Sequence, residues 1–146
     1  MALLHTGITA LTNRMPKVIS PKAHAIIDYA TAGSFLLTGA LLWKRNRRAA
    51  IGSMVCGIME AQTAMITDFP GGITPLISFE THGKIDAGFA GFVGTLPSLL
   101  AFGDEPEANF FRGQALAIAA VTGLTDFEQS GRSRNQRRSR SRRRAA

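Results

Sequence analysis

The sequence predicts an all-α fold: four transmembrane helices forming two tandem helical hairpins, followed by a disordered arginine-rich tail. Three observations carry this reading. Four long segments lack charge, the stretches between them are rich in turn residues and charge, and the chain matches itself when shifted by 58 residues.

The charge-free runs are residues 29–43, 49–59, 87–103 and 113–125. A soluble amphipathic helix shows a charged face every turn or two. Here whole turns pass with little but Ala, Gly, Leu, Ile, Phe, Ser and Thr, and four such helices cannot all be central in one small domain. Extended to their polar boundaries, the runs give spans near 24–43, 49–68, 83–102 and 109–126. At about 1.5 Å per residue, helices of about 18–20 residues just cross a hydrocarbon core of about 30 Å.

The connections fit these spans. KRNRR (44–48) is a tight polar hairpin. FPGGITPLISFE (69–80), with two prolines and two glycines, reads as a loop. GDEPE (103–107) is a turn whose proline suits a helix start. Residues 1–18 form an N-terminal extension without the basic and apolar regions of a secretory signal. Residues 19–128 make the membrane domain, and residues 129–146 a disordered basic tail.

The shift places His24 on His82, Asp28 on Asp86, Gly33 on Gly91, and Thr67-Asp68-Phe69 on Thr125-Asp126-Phe127. No gap is needed between Ile19 and Phe69, so repeat 1 is 19–69 and repeat 2 is 77–127. A unit with two crossings begins and ends on one side. The halves are then related by a pseudo-two-fold axis along the membrane normal. His24, Asp28, Asp68, His82, Asp86 and Asp126 therefore gather at one membrane face.

His24/Asp28 and His82/Asp86 are spaced i,i+4, so each pair shares a helix face. The helix dipole favours Asp28 and Asp86 near N-termini and disfavours Asp68 and Asp126 at C-termini. Hydrogen bonds between helix mouths are the structural reading of this cluster. Its functional readings are a divalent transition metal, a haem ligated by the two histidines, or a proton relay. Glu60 breaks the repeat, because Ile118 occupies its equivalent position. An intramembrane acid of this kind is either hydrogen-bonding glue or part of a pathway. Cys56 is the only cysteine, which excludes an internal disulfide, a CxxC redox pair and a Cys-rich zinc site.

The pattern P-K-x-H-x-x-x-D-Y (21–29), T-D-F-P-x-G, H-x-x-x-D and a closing T-D-F resembles an uncharacterised group of small bacterial four-helix integral membrane proteins. The likeness covers roughly residues 15–127 and marks His24, Asp28, Asp68, His82 and Asp86 as motif positions. It implies a membrane topology, most naturally in a bacterial inner membrane, and no activity.

Charge completes the picture. Of 17 basic residues, eight are arginines within 132–144, while the other nine face ten acids. The body is near neutral, which excludes reading the whole chain as a nucleic-acid binder. The tail anchors topology with both termini cytoplasmic; its partners are anionic lipid or, as the weaker alternative, nucleic acid. The functional expectation is a multi-pass membrane protein in which the cluster has a structural, non-catalytic role. The alternatives are a metal- or haem-binding electron-transfer protein, or a proton or small-solute pathway completed as a homo-oligomer.

Overall fold

A computed structural model of the chain describes residues 16–127. Four helices carry this region: α1 (Pro21–Leu42), α2 (Arg47–Met65), α3 (Phe79–Leu99) and α4 (Ala108–Leu124). Two short strands, β1 (Thr67–Asp68) and β2 (Ile77–Ser78), lie between α2 and α3. The helical expectation holds, with a two-residue parallel pairing added to it.

Side-chain caps set most of the helix starts. The Ser20 hydroxyl accepts the Ala23 N–H, and Ser78, 58 residues on, accepts the Thr81 N–H. The Asn46 side chain accepts the Ala49 N–H. Pro21 follows its cap at the first helical position, where its missing N–H costs nothing. The helices accordingly begin one to four residues before the polar boundaries of the sequence. Polar residues such as Lys22, Arg47 and Glu80 occupy first turns, where solvated side chains are tolerated.

The helix ends also move. α2 stops at Met65 because Thr67 and Asp68 are extended and pair with Ile77 and Ser78. The stretch 69–80, expected to be loop throughout, therefore includes β2 and the first two residues of α3. Within the remaining turn, Gly71 adopts a φ of 120°, open to glycine alone. At Gly72 a Cβ would stand 1.9 Å from the Thr67 carbonyl oxygen, so the doubled glycine is sterically required.

α1 packs along α2, and α3 along α4. Phe35, Phe89, Val93, Phe102 and Phe111 fill the centre, and Phe35 meets the rings of Phe89, Phe110 and Phe111. The chain before α1 is tied to the end of α4. Val18 and Ile19 donate backbone N–H groups to the Leu124 carbonyl, Thr125 bridges Ile19 in parallel, and Lys17 Nζ reaches the Gly123 carbonyl at 2.7 Å. Residues 16–18 thus belong to the bundle rather than to a separate extension. Residues 1–15 and the basic tail lie outside the described residues.

Among the described residues, α1 alone is long and apolar enough by itself to cross a membrane. α2 carries Arg47, Arg48 and Glu60, α3 carries Glu80, Lys84 and Asp86, and α4 has 17 residues.

Candidate metal centre

His24 and His82 sit in the first turn or so of α1 and α3, and Asp28 and Asp86 one turn further in. All four side chains are buried: both histidines are 0% exposed, Asp28 3% and Asp86 2%. The two helices bring the pairs face to face. The imidazole Nε2 atoms are 3.3 Å apart. His24 Nε2 lies 3.0 Å from Asp86 Oδ2 and 3.3 Å from Asp28 Oδ1. His82 Nε2 lies 3.1 Å from Asp86 Oδ2 and 3.1 Å from Asp28 Oδ2.

Two threonines fix which ring nitrogen carries the proton. His82 Nδ1 is 2.7 Å from Thr67 Oγ1, and His24 Nδ1 is 2.7 Å from Thr125 Oγ1. Each hydroxyl also donates at 2.6 Å to a backbone carbonyl one helical turn earlier, Thr63 for Thr67 and Val121 for Thr125. A hydroxyl has one proton, and a carbonyl can only accept, so that proton belongs to the carbonyl contact. Each Nδ1–H must then donate to its threonine. In the neutral ring the Nε2 lone pair is left bare, and both lone pairs point into the same small space as two carboxylates.

That space holds acceptors and lacks donors. Asp28 Oδ2 and Asp86 Oδ1 are buried without a hydrogen-bond partner. The 3.1 Å approach of Asp28 Oδ2 to His82 Nε2 is close in distance but not aligned as a hydrogen bond. One ligand atom from each residue can be chosen so that all four lie within 4.8 Å of one another. A tetrahedral ion with ligands at about 2.0–2.1 Å requires ligand–ligand edges of about 3.3 Å. The measured separations of 3.0–3.3 Å already match those edges.

An aromatic collar closes the site. Phe79 and Phe127 meet the His24 ring at centroid distances of 5.3 and 5.4 Å, and Phe69 meets His82 at 5.3 Å. Phe79 and Phe127 touch each other at 4.7 Å. Phe69 and Phe127 are the last residues of the two T-D-F segments.

Asp68 and Asp126, the other two expected members, stand outside the group. Asp68 is exposed and Asp126 half-buried, whereas Thr67 and Thr125 are fully buried. The reason is strand geometry: successive side chains point to opposite faces, so extending the chain at 67–68 turns Thr67 inward and Asp68 outward. Glu60 is buried on α2, with the Asp86 and Asp28 carboxylates and the His82 ring as its charged neighbours. The threonines and the collar escape a reading focused on ionisable residues, although the repeat of the whole T-D-F triplet signals all of them.

Comparison of the chain with protein families, with characterised proteins and with solved structures finds no match.

Proposed function

We propose that this is a four-span membrane protein made of two copies of one helical hairpin, stapled together by a divalent transition-metal ion held by His24, Asp28, His82 and Asp86. The observation that carries the ion is the convergence of four buried ligand groups whose histidine tautomers are set from behind by Thr67 and Thr125. Metal-bound histidines typically donate their second ring nitrogen to such an acceptor. Two carboxylates, two neutral imidazoles and one dication sum to zero charge, the cheapest state for a site removed from water. Mixed nitrogen and oxygen donors in a tetrahedral arrangement suit zinc or a neighbouring first-row ion.

A haem fits this space poorly. A porphyrin plane between the two Nε2 atoms would displace Asp28 and Asp86, each of which approaches both rings within 3.3 Å. The donor set is closed, with four protein ligands and no face open to solvent. That is the arrangement of a structural ion rather than a catalytic one. It keeps the non-catalytic reading of the cluster and supplies the cation that the cluster lacks.

The membrane placement is supported by the outer surface. Large apolar side chains face outward on the helices, from 48% exposed at Ile51 to 62% at Leu37 and 73% at Leu116. Helices of 22, 19, 21 and 17 residues reach about 26–33 Å, close to a hydrocarbon core of about 30 Å. The hairpin duplication is supported by roles that recur 58 residues apart: Ser20 and Ser78 as caps, His24 and His82 as facing rings, Thr67 and Thr125 as their partners.

Cobalt(II) exchange tests the ion, and carbonate extraction of membranes tests the placement. The protein should remain in the carbonate-washed pellet, and the cobalt form should show the intense visible bands of a four-coordinate ion. Release into the wash would reject the membrane placement. A spectrum of free aqueous cobalt would reject the site.

A further inference from the structure

Two cavities flank the His/Asp cluster, one at each seam between the hairpins, and positions 58 residues apart line them. The first, about 30 Å³, lies between α1 and α4 and is bounded by Asp28, Thr31, Glu60, Asp86, Ile118 and Val121. The second, about 240 Å³, lies between α2 and α3 and is bounded by Met59, Glu60, Thr63, Gly88, Phe89 and Phe92. Ile118, Val121 and Thr31 of the first seam correspond to Glu60, Thr63 and Phe89 of the second. At the first seam a hydrogen bond from Gln114 Nε2 to Ser34 Oγ, at 3.3 Å, ties α4 to α1. At the second seam the equivalent of Ser34 is Phe92, and a groove remains.

Glu60 lines both spaces. It is 4% exposed and, among the described residues, makes no hydrogen bond. A buried carboxyl group without a partner is costly, and the aliphatic Ile118 shows that the equivalent position can be filled without one. The rest of the groove is apolar apart from Thr63. Phe89 and Phe92 form one wall, their ring planes 29° apart.

We infer that this groove binds the hydroxyl-bearing aromatic ring of a lipid-soluble molecule, with Glu60 as its hydrogen-bond partner. The aromatic wall favours a ring in offset or edge contact. The volume is below the several hundred Å³ of a site for a whole drug-sized ligand, so the groove takes a head group while the tail stays outside. The groove meets the outer flank of the bundle, where the neighbouring Ile58, Met59 and Ile85 are exposed. In a bilayer that flank faces acyl chains, which deliver neutral amphiphiles and exclude ions. The inference rests on the membrane placement proposed above and not on the metal ion.

The test uses the detergent-solubilised full chain and two probes: 1,4-hydroquinone carrying a decyl chain, and decylbenzene, which has the same tail and no hydroxyl. Equilibrium dialysis at fixed detergent should give saturable binding of the hydroquinone at one per chain and no saturable binding of decylbenzene. Glu60→Ile, which copies the residue of the other repeat, should weaken hydroquinone binding about tenfold or more, the loss expected for a hydrogen bond to a carboxylate. Gly88→Leu should abolish binding by filling the groove; a Cβ there meets nothing within 4 Å, so the fold accepts it. Equal uptake of both probes, uptake that never saturates, or unchanged affinity in both variants would overturn the inference. Metal content and detergent-free solubility, read on the same samples, report separately on the ion and on the membrane placement.

Discussion

The two ends of the bundle hold similar numbers of charged groups and treat them in opposite ways. At the far end, Arg45 pairs with Glu107 at 2.9 Å, while Arg48 and Asn46 donate to Glu105. Arg48 also donates to the Ala101 carbonyl. Every carboxylate there meets an N–H donor, and the arginines are 53–69% exposed. That end is electrically complete and works as a clamp between the hairpin loops. At the near end, two carboxylates and two imidazole lone pairs converge in a dry space with no Lys or Arg among them. The contrast teaches that ionic groups meant only to hold helices together look like the far end. The near end is complete only with a cation.

The largest expected effect of breaking this contrast is at the near end. Asp86→Ala leaves the remaining charges unbalanced and should cost about 3–5 kcal/mol, the penalty for removing one partner from a buried ionic group. Unfolding in mixed detergent micelles would read it. The second effect sharpens the tautomer argument. Thr67→Val or Thr125→Val removes the acceptor behind a histidine and should weaken metal affinity about 10–100-fold, read by competition with a chromophoric chelator. A third acts on the collar. A Cβ at Gly83 would stand 2.6 Å from Phe127 Cζ, so Gly83→Ala must shift that ring. The expected cost is about 1 kcal/mol, with faster loss of the ion to chelator in a stopped-flow assay.

The smallest effects belong to the clamp. Arg48→Met combined with Glu105→Gln should change stability by no more than about 1 kcal/mol and leave metal content untouched. The Glu107 carboxyl is held below the usual carboxylate range by its own backbone N–H, with Asn46 and Arg45 adding to the effect. The unfolded chain therefore binds more protons there than the folded one, and stability rises with pH through that region. The contribution is present above the ordinary glutamate range, about 4.3, and is lost as pH falls through the depressed value. Glu107→Gln should flatten that part of the acid unfolding curve.

Much of this site was legible before any coordinates. The i,i+4 spacing put His24 with Asp28 and His82 with Asp86 on shared faces, and the 58-residue register set the two faces against each other. Thr67 and Thr125 were harder, because each stands beside an aspartate that draws the attention. Only the short parallel pairing with Ile77–Ser78 decides that Thr67 turns inward and Asp68 outward. That pairing crosses a loop whose prolines and glycines conceal a strand. Glu60 was visible as an acid in an apolar helix, but its place between the cluster and an open groove depends on how the two hairpins meet. No local pattern encodes that contact. The helix starts were misjudged for a similar reason: charge marks the edge of an apolar stretch, whereas Ser20, Asn46 and Ser78 mark the helix.

Elemental analysis of the purified full chain tests the central claim most directly. From cells supplied with first-row transition metals, the wild type should carry about one divalent ion per chain. His24→Ala/His82→Ala should carry none, while Arg48→Met/Glu105→Gln should match the wild type. A folded wild type free of metal, or a double histidine variant that keeps its full complement, would contradict the account.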